Sequence, residues 1–288
     1  MTRTRDIIQE IADIRHRRSF GVAMAELPFR LLELERAFKA YDKSQRELTR
    51  YFPVALVACV EGYFRMVIKD LIDSGEPFLT NAEKPSSLLK LDFSVVRAVH
   101  GKAITVGELV AHGVSLSRLE HIEGALSSLL GTGFLQALRT TADRWAHEVE
   151  GEPSTPILSK PSEVFADVAR TFELRHIICH EIASAYEIES EEVARCFKSC
   201  VAFLRAADAF VSETIRPGAP LTQTDINIAA GKSLDDKRLI LAEAIVKTRM
   251  RLNAAELVAF DESQAKWQVY CDAWAGFVAG ERVNGGTM

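Results

Sequence analysis

No run of 18 or more uninterrupted apolar residues occurs in this 288-residue chain, so a membrane span is not expected. The start, Met1-Thr2-Arg3-Thr4-Arg5-Asp6, is not followed by an apolar core and does not read as a secretory signal. Convincing runs of alternating strand residues, internal repeats and low-complexity tracts are also missing. Positive charge is not in excess. A formal net charge of −5 argues against broad electrostatic binding to nucleic acid, although not against a local basic pocket. The five cysteines (Cys59, Cys179, Cys196, Cys200 and Cys271) are odd in number, form no Cys-x-x-Cys pair and fall within expected helices. They read as buried free thiols in a reducing compartment, which predicts a cytoplasmic protein.

What is present is helical periodicity, from Arg5 onward. With 48% hydrophobic and 26% charged residues, the chain has the composition of a globular protein able to bury a sizeable core. Residues 5–17 and 24–49 read as helices broken near Ser19-Phe20-Gly21. Residues 52–73 form the clearest core helix, with Pro53 in its first turn and Val57, Val60, Phe64, Val67, Ile68 and Leu71 on its buried face. Glu61 falls within this otherwise apolar helix.

Residues 76–92 read as a loop with short helical pieces, followed by helices near 93–100, 105–112, 115–130 and 134–149. Ser115 is the expected N-cap of the third of these, and Gly131-Thr132-Gly133 its terminator, since a phosphate loop would need a lysine and a preceding strand. A helix from Ser162 to Ala185 and another over 190–215, capped by Ser190, complete the main body. Arg216-Pro217-Gly218-Ala219-Pro220 reads as a domain boundary, with helices near 222–230, 234–252 and 255–280 beyond it.

The most informative stretch is Phe172-Glu173-Leu174-Arg175-His176-Ile177-Ile178-Cys179-His180-Glu181. Leu174, Ile177 and Ile178 have helical spacing and are expected to face the core, leaving Arg175, His176 and His180 on or beside the opposite face. Residues five apart on a helix differ by about 140° in azimuth and about 7.5 Å in rise, so Arg175 reaches His180 only through a shared cleft. His176 and His180, four apart, share a face. The spacing admits three readings. One is a surface arginine with two half-buried, locally hydrogen-bonded histidines. Another is a metal site, although Glu181 lies outside the histidine pair and further ligands are not evident. The third is phosphodiester chemistry, with His180 moving a proton at a ribose 2′-hydroxyl or a departing 5′-oxygen, and Arg175 stabilising the phosphorane.

Over residues 40–215 the chain resembles the HEPN family, many of whose members are metal-independent ribonucleases. The run Pro53-Val54-Ala55-Leu56-Val57-Ala58-Cys59-Val60-Glu61-Gly62-Tyr63-Phe64 is similar to that family's first core helix. Glu173–His180, followed by one more long helix, is similar to its late Arg-x4-His motif helix. The family usually has a polar residue after the arginine, here His176, and often an acid from the early helix near the site, here Glu61. Two features depart from the pattern: the chain is expected to continue helically through Glu181-Ile182-Ala183, and the 76–160 insertion is long.

The resemblance implies an all-α, HEPN-like antiparallel bundle over 1–216 with inserted short helices, and a small helical appendage over 217–288. It implies an endoribonuclease without cofactor or metal, acting on RNA as a homodimer through Arg175, His176, His180 and Glu61. A toxin–antitoxin or phage-defence setting, with an antitoxin or nucleotidyltransferase partner, is part of the same implication. The alternative is a non-catalytic HEPN-type scaffold that binds a nucleotide or a protein.

Residues 233–288 resemble the LprI-type lysozyme-inhibitor-like family through Leu252-Asn253, Asp261-Glu262-Ser263-Gln264-Ala265-Lys266-Trp267-Gln268-Val269-Tyr270 and Gly285-Gly286-Thr287. Cys271 stands where that family has arginine, and Ala275 where it has cysteine, so its disulfide and its lysozyme inhibition are not expected here. Trp267, Tyr270, Trp274 and Phe277 have three- and four-residue spacing and predict a packed aromatic seam between helices; a partner-binding or sensing appendage is the alternative. Ser115, Ser117 and His121 make no complete nucleophile set, and Asp143 and His147 read as a surface pair. Arg139, Arg144 and Arg170 are candidates for an RNA path, or are simply solvated.

Overall fold

The computed structural model describes residues 6–18, 23–86, 92–181 and 185–284. The Ser19-Phe20-Gly21 break, residues Ile182 and Ala183, and Gly285-Gly286-Thr287 lie outside them. The chain divides into two units, Met1–Ala219 and Pro220–Met288, within the expected boundary segment. The architecture is all-α: among the described residues the only β-type pairing is an isolated bridge between Ala142 and Pro156.

The first unit contains α1 (Ile7–His16), α2 (Ala23–Ala40), α3 (Arg46–Asp73), α4 (Phe78–Asn81), α5 (Glu83–Ser86) and α6 (Phe93–His100). It continues with α7 (Val106–Gly113), α8 (Leu119–Leu130), α9 (Phe134–Leu138), α10 (Arg144–Glu148), α11 (Pro161–His180) and α12 (Ser190–Ile215). Central α3 is packed by α2, α7, α11 and α12. It has the length and composition of a membrane span, yet 67% of its most apolar stretch is buried inside the protein.

Helix ends follow local chemistry. The Ser44 amide donates to Asp42 Oδ1 at 3.0 Å, an Asx turn that separates α2 from α3. The expected helix over 24–49 therefore splits, and α3 starts six residues earlier than expected, at Arg46. Pro53 is thus inside the helix and buried, where it removes one backbone hydrogen bond while Phe52 and Leu56 bury beside it. A capping box between Thr105 and Glu108 starts α7, and the Asp143 carboxylate caps α10. Where one helix was expected over 134–149, α9 and α10 are separate.

The 76–160 segment completes the main core instead of decorating it. Ile122, Leu126, Leu129, Phe134 and Leu138 from this segment are all fully buried in the same cluster as α3 and α12. Phe134 meets Phe64 at 5.7 Å and Phe203 at 6.3 Å between ring centroids, both in the edge-on geometry that favours aromatic pairs. Of the five cysteines, Cys59, Cys196 and Cys200 are buried, Cys271 is half-buried and Cys179 is exposed; all are free. Burial pushes the Cys200 thiol up to about 12.

The second unit consists of α13 (Gln223–Arg249) and α14 (Ala254–Asn284). Thr222 caps α13 by accepting from the Asp225 amide at 3.1 Å, and Asn253 caps α14 by accepting from Ala255 and Glu256. The expected break near residues 230–234 is absent: α13 passes through Gly231, whose helix penalty of about 1 kcal/mol does not stop it. The aromatic run is not a packed seam within this unit. Trp267, Tyr270, Trp274 and Phe277 are 44, 63, 56 and 57% exposed.

Candidate functional site

The motif helix α11 begins with Pro161 at its first position, where a missing amide hydrogen costs nothing, one residue before the expected Ser162 cap. Phe165, Val168, Phe172 and Leu174 are buried against the core. Ile177 and Ile178, expected on that face, are only half-buried, because the helix ends at His180 with the Glu181 amide bonded to the Ile177 carbonyl. The expected extension to Ala185 is thereby corrected. The last turn lies at the edge of the core, which leaves His176 and His180 exposed and Arg175 half-exposed.

These three residues come together. With Phe172 and Glu173 of α11, they line one side of an open cleft of about 540 Å³, whose other side is Ser117, Arg118, Leu119 and Glu120 at the start of α8. The His176 and His180 rings are 5.1 Å apart and inclined by 44°. Glu61 is half-buried on α3 and is not among the cleft's lining residues.

The α8 side was not legible beforehand. Ser115 lies ahead of the helix instead of capping it; Arg118 holds the N-cap position in extended backbone, with no side chain accepting from the first amides. Those amides carry the positive end of the helix dipole toward the cleft. Ser115 and Ser117 hydroxyls each approach His121 Nδ1 at 3.3 Å, which fixes the turn that presents Arg118. Arg118 is thus a cleft residue that the Arg-x4-His pattern does not contain. No local signal marks it, because it reaches the cleft only through the packing of α8 on α11.

The cleft's cations differ from the other arginines considered from the sequence. Arg144 is held by Glu148 and Glu213, each at 2.7 Å. Arg170 is held by Glu173 at 2.7 Å and Glu192 at 2.8 Å and also donates to the Tyr186 hydroxyl. These carboxylates, Glu173 first, raise the Arg170 guanidinium above its ordinary range. Arg139 donates to Ser162 and lies over the Phe165 ring. All three hold elements together. Arg118 and Arg175, by contrast, have no carboxylate partner among the described residues. Among the described residues there is also no group of three His, Cys, Asp or Glu side chains placed to hold a metal ion.

No protein-family model, curated protein or solved structure matches the chain.

Proposed function

We propose that the α8–α11 cleft is the site of a metal-independent endoribonuclease of HEPN type. The observation that carries this reading is the convergence of two guanidiniums, Arg118 and Arg175, that have no carboxylate partner among the described residues, with two exposed imidazoles 5.1 Å apart. Guanidinium forks match phosphate oxygens, and neutral imidazole accepts a proton near neutrality. In this scheme His180 removes the proton of a ribose 2′-hydroxyl, the 2′-oxygen attacks phosphorus, and the bond to the 5′-oxygen breaks. A second histidine, His176 or one from a second copy, protonates the departing 5′-oxygen. Arg175 stabilises the charge on the phosphorane. Exposure of both histidines leaves them accessible to a second copy, as a composite dimeric site requires. The cleft lining sets Arg118 and Arg175 beside the carboxylates Glu120 and Glu173, of which Glu173 is already paired with Arg170.

A second reading is a non-catalytic scaffold that binds a nucleotide or protein in the same cleft. It is favoured by one observation: among the described residues neither histidine has a carboxylate partner to fix its tautomer. Cleavage of a mixed RNA pool in EDTA, wild type beside His180→Ala, separates the two. Cleavage that resists EDTA and vanishes in the variant supports the enzyme. No cleavage by the wild type, with retained nucleotide binding, supports the scaffold.

A further inference from the structure

Between α1, α3 and α7 lies a small cavity of about 40 Å³, lined by Arg15, Arg18, Arg65, Lys69 and His112 with a single carboxylate, Glu108. Most of these bases are engaged by the protein itself. Arg15 Nε donates to Glu108 Oε1 at 3.0 Å. Lys69 lies 2.7 Å from Asp70 and 3.6 Å from Asp73, and His112 Nε2 lies 3.2 Å from Glu10. Arg65 Nη1 donates to the Ala111 and His112 carbonyls at 2.7 and 3.3 Å, in the last turn of α7, where a cation is favoured. The remaining donors of its guanidinium fork, Nε and Nη2, have no acceptor among the described residues.

Arg18 differs from the other four. It lies just beyond the end of α1 and is half-buried, and its guanidinium has neither a hydrogen-bond acceptor nor a carboxylate partner among the described residues. Burial pulls that guanidinium below its ordinary range, more than the carboxylates of Glu26, Glu108 and Asp70 offset, and Arg65 acts in the same direction as burial. A half-buried cation without a partner is costly, and an anion that brings oxygen acceptors offsets the cost.

We infer that this cavity binds one small tetrahedral oxyanion of the phosphate class, held by the guanidinium forks of Arg18 and Arg65. Charge sets the sign of the ligand. Four arginine and lysine side chains face one carboxylate within the lining, while Glu10, Asp70 and Asp73 hold His112 and Lys69 from outside it. Size sets the class. A water needs about 10–15 Å³ of such a cavity, so this one has room for about three, the space of a single oxyanion and too little for a nucleoside. The two planar forks match paired phosphate oxygens, which a lysine ammonium does not. Bound there, the anion would tie the end of α1 to the middle of α3. The inference is independent of the ribonuclease reading, because none of these residues lines the α8–α11 cleft.

The test is calorimetric titration of the full chain with inorganic phosphate at fixed ionic strength. Arg118 and Arg175 are also able to hold phosphate, so the titration uses an Arg118→Ala, Arg175→Ala background. One saturable site per chain is expected there. Arg18→Gln added to that background should weaken binding by about tenfold or more, the effect of losing a charge-assisted contact. Arg18→Lys, which keeps the charge and loses the fork, should fall between the two. The thermal transition without phosphate checks folding, and Arg18→Gln should leave it in place, since the guanidinium holds no described partner. Absence of saturable binding overturns the inference. So does equal affinity in Arg18→Gln, or a heat that chloride reproduces, which marks ionic screening alone. RNA cleavage by His180→Ala is a separate readout, so failure of one reading leaves the other standing.

Discussion

His176 and His180 face each other across one turn at the end of α11, with ring centroids 5.1 Å apart. Their shared face follows from four-residue spacing, but their exposure follows from where the helix stops. In the proposed enzyme, His180→Ala should lower the cleavage rate by about 10²–10⁴-fold, the usual contribution of a general acid or base. Stability should shift by less than about 0.5 kcal/mol, as for other exposed substitutions. A variant that cleaves at the wild-type rate would remove His180 from the mechanism.

Arg118→Ala should act on binding instead of chemistry. The guanidinium lines the cleft across from α11 and has no carboxylate partner among the described residues. Loss of one phosphate contact is expected to weaken RNA binding several-fold and to reduce the slope of log affinity against log salt by about one. An unchanged salt slope in a binding titration would place Arg118 outside the RNA path.

Gly107→Ala should destabilise the first unit by about 1–3 kcal/mol, the usual cost of overpacking. Gly107 is buried at the start of α7, its amide donates to Asp73 Oδ1 at 3.0 Å, and an added Cβ would collide with the Lys69 carbonyl oxygen and lie 2.7 Å from Asp73 Oδ1. The colliding backbone belongs to central α3, which cannot yield cheaply. Thermal unfolding should show a drop of several degrees in Tm, and an unchanged Tm would mean that α7 can shift away.

Asp208→Asn should stabilise the protein in a pH-dependent way. Burial pushes the Asp208 carboxyl up to about 6, and the Tyr63 hydroxyl donates to it at 3.3 Å. The folded chain therefore keeps a proton that the unfolded chain loses near pH 3.9. Stability tied to this group is complete below about pH 4 and is lost as pH rises through about 6. The asparagine variant should gain on the order of 1–2 kcal/mol above pH 6, after allowing for partial solvent screening, and nothing below pH 4. Equal gains at pH 4 and pH 8 would contradict the assigned titration.

Local signals were read well where the local physics dominates. The helix expected near 105–112 is found at Val106–Gly113, because the Thr105–Glu108 capping box that starts it acts within a few residues. Non-local effects were not legible. Pro53 looked like a helix start, but burial of Phe52 and Leu56 against the core extends α3 seven residues before it. The 76–160 segment looked like an insertion, although Phe134 completes an aromatic cluster with Phe64 and Phe203.

By itself, the sequence determined the helical class and the shared face of His176 and His180. These depend on the 3.6-residue period and on backbone chemistry that each segment carries with it. Tertiary structure alone decided that Arg118 joins Arg175 and the histidines, that Glu61 stays off that cleft, and that Trp274 and Phe277 stand exposed. Such outcomes depend on which surfaces of distant segments exclude water from each other, and periodicity within one segment does not contain that information.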